Sequence, residues 1–107
     1  SVRGGNGNDS ILGQGGADLL FGDAGNDTIE GGAQPDLIDG GANNDHLIGN
    51  GDVDQIFGNV GGDVIEGNDG NDLLRGNPGE DLIYGDAGGD DIAGGPDNDT
   101  IRGGDET

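Results

Sequence analysis

The sequence predicts an all-β fold: a right-handed parallel β-solenoid with two sheets of short strands and 18 residues in each coil. A nine-residue frame runs from Gly4 to Arg102 eleven times without an insertion or deletion. Its first slot is always glycine, its sixth is always aspartate, and its eighth is always isoleucine or leucine. No window free of glycine is long enough to nucleate a helix, so helical structure is excluded.

Each copy divides into a turn and a short strand. Glycine, asparagine and aspartate dominate slots one to six, and glycine and asparagine tolerate a positive φ at low cost. Slots seven to nine are often β-prone, as in Thr28–Glu30 and Val64–Glu66. Because side chains alternate across a strand, slot eight should face inward, while slots seven and nine should face outward.

Stacking of the copies follows from their size. A nine-residue unit cannot bury its own aliphatic side chain, so neighbouring units must stack into one continuous core. Two units close a coil, and the inward aliphatic side chains then fall into two sheets. The first sheet should contain Val2, Leu20, Ile38, Ile56, Leu74 and Ile92, and the second sheet Ile11, Ile29, Leu47, Ile65, Ile83 and Ile101.

The repeat accounts for all 107 residues, which predicts a single domain of about twelve copies. Residues 1–3 fill slots seven to nine of a preceding copy, and residues 103–107 fill slots one to five of a following copy. Solenoids normally need a polar cap at each end, and no such segment is present here. We therefore expect the chain to be a window of a longer array.

Composition excludes several classes of function. The formal net charge is −20 and only 28% of residues are hydrophobic, values typical of disordered chains, so something outside the sequence must stabilise the fold. Three basic residues cannot neutralise a phosphate backbone, which argues against nucleic acid as a partner. No apolar run exceeds three residues, so membrane insertion is not expected. Without cysteine there is no disulfide or thiolate metal site.

The slot-six aspartates identify the missing partner as a divalent cation. Stacking brings aspartates 18 residues apart to about 5 Å from each other, in two columns of like charge. A hard cation between successive turns removes this repulsion, and all-oxygen ligation selects Ca²⁺ over Mg²⁺. The turns enclose nine gaps, and nine Ca²⁺ would carry +18 against the formal −20. The predicted carboxylate ligands are Asp9, Asp18, Asp27, Asp36, Asp45, Asp54, Asp63, Asp72, Asp81, Asp90 and Asp99.

The pattern Gly-Gly-x-Gly-x-Asp-x-aliphatic-x resembles the nonapeptide of the RTX (repeats-in-toxin) proteins and covers essentially the whole chain. The resemblance implies a calcium-bound parallel β-roll. It also implies that one turn gives its aspartate and the carbonyls of slots two and four, and the next turn gives its aspartate and slots one and three. The first ion would have Gly5, Gly7, Asp9, Gly22, Ala24 and Asp27, the neighbouring column would begin with Gln14, Gly16, Asp18, Gly31, Ala33 and Asp36, and later copies would use equivalent slots.

Two functions are compatible with these features. The resemblance implies a module that folds on Ca²⁺ outside the cell, as a secretion and folding element of a protein exported by a Gram-negative type I system. The alternative is a structural repeat of an extracellular filament, adhesin stalk or surface layer. No catalytic motif occurs, so the chain is not expected to be an enzyme, and any activity would lie in another domain.

The turn Gly31–Asp36 departs most from the repeat. Gln34 replaces glycine in slot four, and the following Pro35 restricts it further. We expect Gln34 to resist a left-handed backbone and calcium occupancy to be lowest beside this turn.

The outer face of the first sheet is expected to dock on a second chain or an adjacent domain. Slots seven and nine on this face should form a contiguous apolar strip, and a strip of that kind on a small protein indicates an interaction surface. It would contain Leu19, Phe21, Leu37, Phe57 and Leu73.

Overall fold

A computed structural model describes residues 1–104, which form twelve β-strands joined by turns. The strands are β1 (Val2–Asn6), β2 (Ser10–Leu12), β3 (Leu19–Ala24), β4 (Thr28–Gly32), β5 (Leu37–Ala42), β6 (His46–Asn50), β7 (Gln55–Val60), β8 (Val64–Asn68), β9 (Leu73–Arg75), β10 (Leu82–Tyr84), β11 (Asp91–Ala93) and β12 (Thr100–Arg102). Within this part of the chain there is no helix that could cross a membrane.

Each strand pairs in parallel with the strand one coil away. The first sheet has the order β1-β3-β5-β7-β9-β11, and the second sheet has the order β12-β10-β8-β6-β4-β2. The register is a constant 18 residues, so that Val2 pairs with Leu20 and Ile65 pairs with Ile83. The predicted all-β solenoid, with two parallel sheets and an 18-residue coil, is therefore confirmed.

The core is a single layer of slot-eight side chains between the two sheets. Every such residue from Leu20 to Ile83 has 0% of its surface exposed. At the two ends, where a coil has only one neighbour, Val2 and Ile101 remain 42% and 48% exposed. Burial of one such side chain contributes roughly 1.5–3 kcal/mol, so an aliphatic residue gains its full stabilisation only between two coils.

Most strands before residue 70 are longer than the three residues predicted. In the first sheet β3, β5 and β7 continue into slots one to three, where Ala24 pairs with Ala42 and Ala42 with Val60. The next residue in that row is Pro78, which has no N–H to extend the ladder. Strand β9 ends at Arg75, before this row is reached, and β11 is equally short.

Candidate metal centre

The turns lie in two columns, one on each side of the core. The first column connects the first sheet to the second and carries Asp9, Asp27, Asp45, Asp63, Asp81 and Asp99, and the second column carries Asp18, Asp36, Asp54, Asp72 and Asp90. The aspartates in the interior of both columns are buried, and those of the end coils are half-buried. A buried carboxylate needs hydrogen bonds or a counter-charge, so its surroundings identify its partner.

In nine of the eleven carboxylates one oxygen, Oδ1, joins successive turns. The backbone N–H of Asp9 donates to Oδ1 of Asp27 at 2.8 Å, and that of Asp27 donates to Oδ1 of Asp45 at 2.8 Å. The same bond recurs 18 residues apart along both columns, at 2.8–2.9 Å throughout. It spans each of the nine gaps in which an ion is predicted.

The second oxygen, Oδ2, is buried and accepts no hydrogen bond in most of these residues. Leaving a buried acceptor unpaired costs about 1–3 kcal/mol, and more when the group is charged. Because the same unpaired carboxylate oxygen recurs in coil after coil, it indicates a partner that is not a hydrogen-bond donor. A metal cation is such a partner. The residues concerned are Asp9, Asp18, Asp27, Asp36, Asp45, Asp54, Asp63, Asp72 and Asp81.

The slot-one glycines leave the space that such a cation requires. A methyl group added to Gly22 would lie 2.5 Å from Oδ2 of Asp27 and 2.5 Å from the carbonyl oxygen of Gly40 in the next coil. Slot one does not have a positive φ in any copy, so backbone conformation does not explain its glycine. Glycine is needed there because a carboxylate oxygen and a carbonyl oxygen converge on that point, which is the oxygen-rich environment that Ca²⁺ prefers.

Slots two and four have the left-handed backbone in every copy described. Their carbonyls point toward the next coil: a methyl group on Gly25 would lie 2.0 Å from the oxygen of Gly7, and one on Gly32 would lie 2.0 Å from the oxygen of Gln14. Because slot-one carbonyls point back toward the preceding coil, both turns aim oxygens into the same gap.

These directions agree with part of the predicted ligand set. The oxygens of Gly22 and Gly31 approach Gly4 and Gly13 respectively, beside the Oδ2 atoms of Asp9 and Asp18. The oxygen of Gln14 also accepts the N–H of Ala33 at 2.7 Å, which leaves one lone pair for a ligand. The full set, which includes the carbonyls of Gly5, Gly16, Ala24 and Ala33, stays a prediction.

The expectation that Gln34 resists a left-handed backbone was wrong. Gln34 has φ of 76°, and ten other residues that are not glycine also have a positive φ in slots two and four. Their φ values lie between 67° and 83°, whereas the glycines in these slots range from 85° to 135°. Asparagine and aspartate account for most of them, since both tolerate this region. At Gln34, hydrogen bonds with the neighbouring coil outweigh the preference of glutamine for a negative φ.

Burial raises the pKa of the central aspartates. The pKa of Asp54 and of Asp63 rises to about 7, and that of Asp45 and of Asp72 to about 6, because desolvation disfavours the charged form. The neighbouring backbone N–H opposes this rise, and like charge from adjacent aspartates adds to it. Desolvation likewise raises the pKa of Asp36 and Asp81. A divalent cation in the gap would reverse the shift by favouring the carboxylates.

Side chains alone do not complete a metal site. Among residues 1–104, no three carboxylate or imidazole groups converge on one point. Each gap instead combines aspartates from two turns with main-chain carbonyls. A Ca²⁺ ion in such a gap would need main-chain carbonyls as further ligands, which flexible, oxygen-rich Ca²⁺ sites allow.

A ladder of asparagines lies beside the first column and was not predicted from the sequence. Asn26 N–H donates to Oδ1 of Asn8 at 2.7 Å, Asn44 N–H to Oδ1 of Asn26 at 3.0 Å, and Gly62 N–H to Oδ1 of Asn44 at 2.8 Å. The signal was the recurrence of asparagine in slot five at intervals of 18 residues, twice the repeat. In the second column the corresponding slot holds Ala17, Pro35 and Val53, and the same bond occurs once, from the N–H of Gly89 to Oδ1 of Asn71 at 2.8 Å.

The apolar strip expected on the first sheet is not contiguous. In the slot-nine row, Phe21 and Phe57 are separated by Asp39, because each pairs directly with that residue. In the slot-seven row, Gln55 lies between Leu37 and Leu73. Polar residues therefore interrupt both rows, and Leu19 is 38% exposed while the other four apolar residues are half-buried.

Comparison with known protein families matches five overlapping stretches to the model described as RTX calcium-binding nonapeptide repeat (4 copies). The stretches are residues 1–29, 21–56, 30–65, 57–92 and 84–106, and together they span nearly the whole chain. No curated protein and no solved structure matches the chain.

Proposed function

Because the chain belongs to the family of RTX calcium-binding nonapeptide repeats, we propose that Ca²⁺ occupies the gaps between its successive turns and that the solenoid folds only when these ions are bound. The family is structural rather than catalytic. The observation that carries the proposal is the column of buried Oδ2 atoms without hydrogen-bond partners.

Each ion would be held by the aspartates of two successive turns and by carbonyls from both. About nine ions, one for each gap spanned by an aspartate-to-aspartate hydrogen bond, would offset most of the charge of −20. Flexible main-chain carbonyls suit the six to eight ligands of Ca²⁺ better than the compact octahedron of Mg²⁺.

Folding would then take place outside the cell. Extracellular calcium modules bind with Kd of about 10⁻⁴–10⁻³ M, and cytosolic Ca²⁺ is too scarce for sites of that class. A ligand that binds only the folded state supplies stability by mass action, so the chain would stay unfolded until export. On this proposal the module is the calcium-triggered folding element of a secreted or cell-surface protein, as the family's occurrence in Gram-negative secreted proteins suggests.

Circular dichroism with and without a chelator tests this function. We expect a disordered spectrum in chelator, a cooperative β spectrum on adding Ca²⁺, and little response to Mg²⁺. Asp72→Asn should raise the Ca²⁺ requirement, whereas Asp69→Asn, the same charge change on an exposed side chain outside slot six, should leave it nearly unchanged. A β spectrum that persists in chelator would refute the proposal.

The alternative function, a self-assembling structural repeat, has one observation in its favour. Slot nine of the first sheet reads Arg3, Phe21, Asp39, Phe57 and Arg75, one residue per coil. A second copy packed antiparallel on this face can place Asp39 opposite Arg75 and Phe57 opposite Phe57, which pairs opposite charges and covers a ring. Calcium would be required first, because two chains of −20 repel each other.

Light scattering in Ca²⁺ distinguishes this alternative from a monomeric module. The double variant Phe21→Ser and Phe57→Ser should lower the assembled mass, while Tyr84→Ser, an aromatic-to-serine change on the second sheet, should not. A monomeric wild-type chain in Ca²⁺, or equal assembly by all three proteins, would rule out this interface.

A further inference from the structure

Two consecutive coils depart from glycine at the same slot, and the two departures are hydrogen-bonded to each other. Gln34 and Asp52 both occupy slot four, 18 residues apart, with φ of 76° and 73°. The backbone N–H of Gln34 donates to Oδ2 of Asp52 at 2.8 Å. A glycine at position 52 could not provide this acceptor.

Gln34 is in the least favourable setting of any slot-four residue in the described chain. Its side chain does not hydrogen-bond its own backbone as asparagine and aspartate do, so it has little intrinsic preference for the left-handed region. The following proline crowds the backbone N–H and Cβ of Gln34 and restricts it further. The observed conformation therefore needs support from outside the turn, and the carboxylate of Asp52 supplies a charge-assisted hydrogen bond, which is stronger than one to a neutral acceptor.

Two other coils show that this acceptor depends on the residue in slot four. The N–H of Gly79 donates to Oδ2 of Asp97 at 2.9 Å, again from a turn that contains a proline, Pro78. The N–H of Gly61, whose counterpart one coil later is glycine, bonds instead to the main-chain oxygen of Pro78 at 3.1 Å. Both slot-four aspartates, Asp52 and Asp97, thus accept the slot-four N–H of the preceding coil.

We propose that Asp52 is a positioning residue for the turn Gly31–Asp36, holding its Gln34 peptide in the left-handed conformation that the glycine turns adopt unaided. The departure at Gln34 is compensated by the departure at Asp52, and the gap between Asp36 and Asp54 stays shaped for an ion. This inference rests on the proposed calcium function. It adds that loading of one gap depends on a side chain that is not among the slot-six ligands.

Amide hydrogen exchange of the Ca²⁺-bound chain tests the hydrogen bond itself. The bond is exposed to solvent, which weakens it, so Asp52→Gly should accelerate exchange of the Gln34 amide several-fold. Asp52→Asn keeps an oxygen acceptor without the charge and should retain part of the protection. Unchanged exchange at Gln34 in Asp52→Gly would overturn the proposal.

Calcium binding tests the consequence for the site. Asp52→Gly, although it introduces the residue usual in slot four, should lower the number of ions bound at limiting Ca²⁺, and the double variant Gln34→Gly and Asp52→Gly should restore it. Asp97→Gly is the matched control, because it removes the same bond from a residue that is already glycine and should cost little binding. If Asp52→Asn binds as few ions as Asp52→Gly, or the double variant is not rescued, the proposal is wrong, because Asp52 then does not act through its hydrogen bond to the Gln34 peptide.

A different result would refute the proposed calcium function than would refute the role of Asp52. If the wild-type chain folds without Ca²⁺, the calcium function is refuted, and the exchange rate at Gln34 still reports whether Asp52 holds the turn. If the wild-type chain requires Ca²⁺ but the Gln34 amide is indifferent to position 52, only the positioning role is lost.

Discussion

The coils before and after residue 70 share one aspartate ladder but differ in strand length and in the asparagine ladder of the first column. In the first sheet β3, β5 and β7 are six residues long, whereas β9 and β11 have three. The asparagine ladder of the first column runs from Asn8 to Gly62 and is replaced further on by turns with Pro78 and Pro96. Yet the bond from Asp63 N–H to Asp81 Oδ1 is 2.8 Å, and the next bond, from Asp81 to Asp99, is 2.9 Å.

This difference teaches which contacts the metal site requires. Strand length and side-chain ladders can change without disturbing the aspartate spacing, so they support the coils rather than define the gaps. The coils after residue 70 have fewer such supports and should depend more strongly on bound ions. As Ca²⁺ is lowered, amide exchange should increase there before it increases between residues 20 and 60.

Filling the space beside one slot-one glycine, where the ion is expected, should have the largest effect. A methyl group on Gly76 would lie 2.3 Å from Oδ2 of Asp81 and 2.8 Å from the oxygen of Gly94. Gly76→Ala should therefore exclude an ion and destabilise the coils after residue 70 by about 1–3 kcal/mol or more. Gly15→Ala is the control, since its methyl group would meet nothing within 4 Å. Equal calcium titrations of the two variants by circular dichroism would contradict the claim that the slot-one glycine leaves space for an ion.

Acid should substitute in part for calcium in the central coils. The pKa values of Asp45, Asp54, Asp63 and Asp72 are about 6–7 in the metal-free fold and 3.8 in the reference state. The fold then binds more protons than the unfolded chain, so this contribution is fully present below about pH 4 and is lost as pH rises through 6–7. With Ca²⁺ the sign reverses, because protons compete with the ion.

Circular dichroism from pH 8 to pH 4 checks both signs. We expect β structure to increase on acidification in chelator and the Ca²⁺ requirement to increase on acidification in calcium. Acid that reduces β structure in chelator would show that the aspartates are not buried in the metal-free chain.

Breaking the asparagine ladder should have a smaller, local effect. Asn26→Ala removes the acceptor of the Asn44 N–H, and a net hydrogen bond contributes about 0.5–1.5 kcal/mol. Exchange of the Asn44 amide should rise several-fold, with calcium stoichiometry unchanged. Val53→Ala, in the same slot of the second column, has no such acceptor to lose and serves as the control. A loss of bound ions in Asn26→Ala would mean that the ladder defines the gap after all.

Restoring an N–H at position 78 should change the stability least. Pro78→Ala allows the first-sheet ladder to continue past β7, but it also frees the unfolded chain, at a cost of about 0.4–1 kcal/mol. The two terms nearly cancel in the free energy of unfolding. The amide of residue 78 should nevertheless be protected from exchange. A fully exchanging amide there would show that proline is not what ends the ladder.

The period, the two sheets and the core could be read from the sequence because glycine, aspartate and an aliphatic residue recur in fixed slots. Features that depend on residues 18 positions apart could not be predicted from the nine-residue repeat. The asparagine ladder has a period of 18, and strand extension depends on whether residues such as Val60 and Pro78, a whole coil apart, can pair. The prediction for Gln34 was wrong because its left-handed backbone is stabilised by Asp52 of the next coil and does not follow the preference of glutamine for a negative φ.

The candidate site was predictable to a similar depth. Slot six identified the aspartates, but the reason for glycine in slot one was not visible, since Gly22 and its equivalents do not have a positive φ. Only the packed coils show that a Cβ there would occupy the space between Asp27 and the carbonyl of Gly40. Slots two and four, where the backbone is left-handed, accept asparagine and aspartate instead.

The central claim is that ions in the gaps between turns and the fold form together. The most direct measurement is the number of Ca²⁺ bound per chain, by equilibrium dialysis, followed alongside the β signal in one titration. The account predicts that both rise together and saturate at about nine ions, one for each aspartate pair. A complete β signal with one or two ions bound, or with none, would contradict it.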